Sequence, residues 1–245
     1  MVASFVRINN SSVSSAESTS SVSGSLLNLA SFLNLPDPLY GTGADGDATI
    51  SATTTLTRDH NYKNLTINAS TQLNPGGFRI FVQNVLTLNA SSIIGFTTGF
   101  TTAGTIAQGG ATNTAVTNSL GGSSGAQTAT VPTAALGGSL YYQQPLQAFR
   151  GYAVTAASTT PTFLRGGAGG ASAAGGGVVL IAARYITVVS GTATFSAPGT
   201  PGSGGGGGGV ILIISSASTL NAGVTTDVTG GTGASAGTVN YMQVA

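Results

Sequence analysis

The chain has no cysteine and no tryptophan, and Asp, Glu, Lys and Arg together make up only 5% of its 245 residues. The first absence excludes a disulfide framework and thiolate metal sites. The scarcity of charge excludes more, because an ordinary globular chain carries about 25% of such residues. Seven cations stand against six anions, and Arg7, Arg58, Lys63, Arg79, Arg150, Arg165 and Arg184 are scattered along the chain. A nucleic-acid surface contacting about six to ten phosphates would engage nearly all of them, so no nucleic-acid partner is expected. No apolar run approaches the roughly 18 residues of a membrane helix. The opening MVASFVRINNSS has no apolar core of a secretory signal, so neither a membrane partner nor a leader is expected.

What is abundant is glycine, 38 residues, and it punctuates a repeat. Gly176-Gly177 open onto the apolar run Val178 to Ala183; after a break at Arg184 come a second β-type run, Tyr185 to Val189, a Ser-Gly turn and a weaker strand, Thr192 to Phe195. Gly208-Gly209 open onto Val210 to Ile214, followed by a strand ending near Thr229-Gly230. Gly76-Gly77 open onto Phe78 to Val82, then Val85 to Asn89, then Ile93-Ile94. Three degenerate copies of one unit mark a repeat protein. None is long enough to bury its own apolar face, and stacking equivalent strands about 4.8 Å apart would give one continuous core. The continuous runs Val178 to Ala183 and Val210 to Ile214 suit strands covered on both faces. The expected fold is therefore all-β, a β-solenoid or β-helix-like body of stacked short strands with Gly-rich loops; an antiparallel β-sandwich is the alternative.

The expected organisation is an N-terminal arm and short helix over 1–40 and a Gly-rich β-repeat body over 41–245. Residues 1–24 are Ser-rich with little periodicity. In SLLNLASFLNL, Leu26, Leu29 and Leu33 share a helical face with Phe32 beside them, and Pro36 ends the pattern. That face either caps an open end of the core or docks the protein on a partner. Farther on, Tyr141, Tyr142, Phe149 and Tyr152 form an aromatic island that reads either as a contact surface or as an outer strand packed on the body. The glycine-rich stretches 166–177 and 202–209 are flexible linkers on a generic reading. Beside strong buried strands they mark instead a close approach of backbones, including packed polyglycine helices. No phosphate-loop ending follows them.

Reactive chemistry is sparse. The one histidine, His60, follows Asp59, with no nucleophile context or metal-ligand set around it, and reads as a surface turn. Asp45 and Asp47 flank a glycine but lack the other ligands of a calcium loop, so a polar turn leading into a strand is the preferred reading over calcium or a carboxylate pair. No catalytic residue, cofactor or metal is expected. Arg58 and Asp59 suit a structural ion pair or a subunit contact.

Four blocks carry a resemblance: Gly43-Ala44-Asp45-Gly46-Asp47-Ala48-Thr49-Ile50; Leu56-Thr57-Arg58-Asp59 with Tyr62 and Asn64-Leu65-Thr66-Ile67; Gln72-Leu73-Asn74 with Gly77 and Arg79-Ile80-Phe81-Val82; and the glycine-rich lead into Val178 to Arg184. Together they resemble glycine-rich β-structured proteins of bacteriophage and related virus particles, over roughly 41–89 and 166–230. The resemblance implies a virion surface component, a fibre, a spike or a capsid decoration. Within that class a non-enzymatic capsid decoration or cement protein stabilising the phage head is expected, since 245 residues with one body leave little room for both the attachment module and the receptor tip of a fibre; a tail fibre or spike adhesin that binds host carbohydrate or receptor is the alternative. The partners expected are further copies of the chain, as a homotrimer, and the major capsid protein or another virion protein. The low charge fits a permanent assembly, because neutral Ser, Thr, Asn and Gly surfaces are weak at keeping molecules apart.

Overall fold

The structure is a computed structural model and describes residues 39–97, 139–140, 164–167, 169, 173–201, 204–216 and 222–244. Among them the strands are β1 (Gly46–Ile50), β2 (Thr54–Thr55), β3 (His60–Ile67), β4 (Gln72–Asn74), β5 (Arg79–Leu88), β6 (Ile93–Gly95), β7 (Ser139–Leu140), β8 (Leu164–Arg165), β9 (Val178–Val188), β10 (Ala193–Ser196), β11 (Val210–Ser215), β12 (Val224–Asp227) and β13 (Thr238–Gln243). The described residues contain no helix, and the helix expected within 1–40 lies outside them. Strands β1, β3, β5, β9, β11 and β13 form a six-stranded sheet in that order, and β2, β4, β6, β10 and β12 a five-stranded one.

Every ladder in these two sheets is parallel. This overturns the antiparallel sandwich. The chain leaves the larger sheet after each strand, contributes a strand to the smaller sheet, and re-enters the larger one in the original direction, so that successive strands of each sheet run parallel. Only β7 and β8 pair antiparallel among the described residues, as a separate two-stranded ladder.

The three sequence copies lie side by side. Strands β5, β9 and β11 are neighbours in the larger sheet and β6, β10 and β12 in the smaller, with Ile80 beside Ile181 and Val178 beside Val210. The turns repeat as well. In Asn68-Ala69-Ser70 and Asn89-Ala90-Ser91 the serines take positive φ, 55° and 57°, and Gly191, in the next copy's turn, has φ 65°. The lead into β5 is a tight turn in which Gly76, φ 62°, donates its N–H to Asn74 Oδ1 at 2.8 Å.

The break expected at Arg184 is not a strand end. Strand β9 runs unbroken through it, but its core-facing residues change from Val179, Ile181 and Ala183 to Ile186 and Val188, so alternation slips by one residue. Register shifts fall between Gly46 and Asp47, Tyr62 and Leu65, and Val82 and Val85, which lines the irregularities up across four strands. A bulge accommodates the extra residue by bending the strand. The larger sheet is thus divided along one line into two halves.

Leu65, Ile67, Leu86, Leu88, Val179, Ile181, Ile211 and Ile213 of the larger sheet and Leu73, Ile94 and Phe195 of the smaller form one fully buried cluster between the sheets. The other face of β9 and β11 is also apolar: Val178, Leu180, Ala182, Val210, Leu212 and Ile214 cluster with Phe81, Leu39, Tyr40, Met242 and Val244. The runs expected to be covered on both faces are so covered. Part of the outer cover is the segment leading into β1. Tyr40 donates its hydroxyl to the Val244 carbonyl at 2.8 Å, Gly41 lies on Phe81, Gly43 lies against Gln83 and Lys63, and Asp45 N–H reaches the Asn61 carbonyl at 2.9 Å. This strap crosses the outer face from β13 to β1.

The glycine-rich stretches pack backbone against backbone. Segment 204–209 sits at the centre: Gly176 N–H donates to Gly207 O, Gly206 N–H to Thr200 O, Gly208 N–H to Ser235 O, Gly209 N–H to Ala197 O and Gly231 N–H to Gly206 O, all at 2.7–3.1 Å. A methyl group on Gly206 would overlap the Ala174 carbonyl, and one on Gly208 the Val228 carbonyl. Of the two readings of the glycine stretches, close backbone packing holds at 173–177 and 204–209.

Candidate functional surface

The residues assigned to docking, Leu26, Leu29, Phe32 and Leu33, and to a contact surface, Tyr141, Tyr142, Phe149 and Tyr152, lie outside the described residues. What the structure does build are two polar groupings on the larger sheet.

The first surrounds the start of β3. The parallel register brings β1 beside β3 and β3 beside β5, so residues distant in sequence meet. Asp45 accepts from Arg58 Nη2 at 2.5 Å and from the Asn61 N–H at 2.6 Å. Arg58 holds the Asp45 carboxyl below the usual carboxylate range, outweighing the opposing effect of burial. Asp59 takes the Arg79 backbone N–H at 2.8 Å and Nε at 2.7 Å, together with Nη2. Arg58 and Asp59 therefore do form ion pairs, but each with a residue of another strand or its approach rather than with each other. Asp47 accepts from Asn64 Nδ2 at 2.8 Å, so Asp45 and Asp47 are turned to different partners and do not converge as calcium ligands. Among the described residues no three His, Cys, Asp or Glu side chains gather where they would hold a metal ion.

His60 stacks on Tyr62 with ring centroids 5.1 Å apart and planes 9° from parallel. Its Nδ1 lies 3.3 Å from Asp45 Oδ2 but is not aligned for a hydrogen bond and has no other partner. Burial, reinforced by the Arg58 charge, lowers the His60 pKa despite the attraction of Asp45. A neutral imidazole packed flat on a buried tyrosine, next to a carboxylate already held by arginine, is a structural arrangement. It is also less exposed than the surface turn expected from the sequence, with a side chain 19% accessible.

The second grouping lies on the outward face of the half-sheet beyond the bend. Thr49 pairs with Thr66, Thr66 with Thr87, and Thr87 with Thr187, placing one threonine on each of β1, β3, β5 and β9. Their neighbours Ala48, Ile50, Leu65, Ile67, Leu86, Leu88, Ile186 and Val188 point into the core, so the four threonines face outward. Beside the row stand Asp47, Asn64, Val85 and Tyr185, paired in the same sense. Tyr185 and Val189, 51% and 61% accessible, are the exposed large apolar residues among the described ones, and by alternation both belong to this face. The signal was present in four apolar-Thr-apolar triplets, Ala48-Thr49-Ile50, Leu65-Thr66-Ile67, Leu86-Thr87-Leu88 and Ile186-Thr187-Val188. Each alone reads as ordinary strand alternation, and only the register stacks them.

No protein family, curated protein or solved structure matches the chain.

Proposed function

We propose that this protein is a non-enzymatic structural component of a virus particle surface, a capsid decoration or cement protein built on a β-solenoid and assembled as a homotrimer. The solenoid reading is supported by the alternation of strands between two parallel sheets, each round setting the next strand beside the last. The observation that carries the functional reading is how the described carboxylates are used. Asp45 and Asp59 are held by arginines and Asp47 by Asn64, which tie neighbouring strands or their approaches together, and Asp227 closes a local turn with Thr229, so the scarce charge serves structure instead of forming a reactive cluster. The glycine bundle supports it too, since a body joined by main-chain hydrogen bonds and apolar burial suits a permanent scaffold. The virus particle itself comes from the sequence resemblance.

Attachment in this account relies on apolar burial by Leu26, Leu29, Phe32 and Leu33 and on strands added by the Ser-rich arm, because few charges are present for long-range attraction. The test adds the full chain and a chain lacking residues 1–35 to undecorated particles and counts bound copies by electron microscopy. Full-length protein should bind and stay bound in about 1 M salt, where the Debye length is only about 3 Å, and the truncated body should not bind. Full occupancy by the truncated chain, or stripping by salt, would contradict the proposal.

A further inference from the structure

We propose that the threonine face of the larger sheet binds a linear, neutral β-1,4-linked polysaccharide, with the glycan chain running across the strands along Thr49, Thr66, Thr87 and Thr187. Charge narrows the class of ligand first. The rows hold threonines, Asn64, Val85 and Tyr185, and the one acid, Asp47, is hydrogen-bonded to Asn64. Asp47 is the one charge within the rows, and Lys63 and Arg184 stand exposed only at the bend line beside them, so a polyion finds no array of counter-charges, whereas a neutral polyol finds hydroxyl and amide groups along the row. Tyr185 and Val189 supply exposed apolar surface for the C–H faces of sugar rings.

Size decides between a glycan and another protein. Four strands about 4.8 Å apart and two outward positions along each strand cover roughly 250 Å². A stable protein partner needs about 800 Å² per side, so a second copy seated here alone would be held weakly. An oligosaccharide of three or four rings covers an area of this order.

Periodicity is the third argument. The threonines recur once per strand, so two steps span about 9.6 Å, close to the length of two β-1,4-linked pyranose rings. Every second residue of such a chain presents the same edge, and each would meet an equivalent threonine. The strap from Leu39 to Gly43 covers the opposite half of this outer face, and the row lies beyond the bend from it. The proposal is independent of where the protein is attached.

The test is calorimetric titration of the full-length protein with cellohexaose and chitohexaose, alongside Thr66→Lys, Thr87→Ala and Tyr185→Ala variants checked by circular dichroism. Saturable binding of at least one hexasaccharide is expected, with affinity reduced at least about tenfold in each folded variant. The absence of saturable binding by the unmodified protein up to about 10 mM ligand would overturn the proposal, as would folded variants that bind as it does. A change of oligomeric mass in Thr66→Lys, with glycan binding unaltered, would also overturn it and assign the face to a subunit contact. None of these outcomes alters particle attachment, which is measured separately.

Discussion

The Tyr40 hydroxyl donates a hydrogen bond of 2.8 Å to the carbonyl of Val244, 204 residues away, and so joins the segment that leads into the first strand to the end of the last. The bond sits where the strap packs on the outer apolar cluster of β9, β11 and β13, and burial raises the pKa of the phenol.

Replacing Tyr40 by Phe keeps the ring and removes the donor. The expected loss is about 0.5–1.5 kcal/mol in chemical denaturation. Hydrogen exchange should quicken at both ends of the larger sheet, at β1 and at β13. Faster exchange at β1 alone would show that the strap does not couple the two ends.

Gly206→Ala places a methyl against the Ala174 carbonyl in the centre of the glycine bundle, where the obstacle is backbone and cannot rotate away. The expected cost is about 3 kcal/mol, the upper end for overpacking. Gly233→Ala is the control: its φ of 75° disfavours an L residue, but open space surrounds the added methyl, so the cost should be about 1–2 kcal/mol. A loss for Gly206→Ala no larger than that for Gly233→Ala would mean that the bundle yields to the added methyl and is not closely packed there.

Ser91, at φ 57°, occupies the turn position that Gly191 fills in the next copy. Ser91→Gly relieves the left-handed strain at some cost in unfolded-chain entropy, and a net gain of about 0.5–1 kcal/mol is expected. Thermal denaturation reads the sign directly; a loss would mean that the serine side chain contributes more than the strain removes.

Acid should destabilise the fold in two windows. Burial lowers the His60 pKa from 6.5, and Arg58 lowers that of Asp45 from 3.8. In both cases the unfolded chain takes up protons before the native state does, so stability falls as pH falls. The His60 contribution is intact above about 6.5 and is lost from there down to its lower native value; the Asp45 contribution is lost below the ordinary carboxylate range. Melting temperatures followed against pH should show both steps. His60→Gln should remove the upper step and Arg58→Ala should weaken the lower. Persistence of the upper step in His60→Gln would move its origin elsewhere.

Strand composition made the apolar runs and the stacking of the copies legible, because Val178 to Ala183 and Val210 to Ile214 carry their burial in their residue types. The break at Arg184 was visible too, but a bulge and a strand end look alike in sequence, since both interrupt alternation. At the glycine stretches close backbone approach is the preferred reading over a flexible linker, but which backbones meet is not legible, because glycine carries no side chain to mark its partner and only the surrounding carbonyls decide. The threonine row was missed for a different reason. Register sets it, and the long excursion between β6 and β9 hides the equivalence of Thr87 and Thr187. Likewise Asp45 meets Arg58, and Asp59 meets Arg79, through neighbouring rounds of chain.

The most direct measurement of the central claim is electron microscopy of virus particles purified from the source of this sequence, with antibody label against this protein and quantitative peptide counting on the same particles. The account predicts label over the particle surface and a fixed copy number in multiples of three. Absence of the chain from purified particles, with the protein found free in the cell fraction, would contradict it.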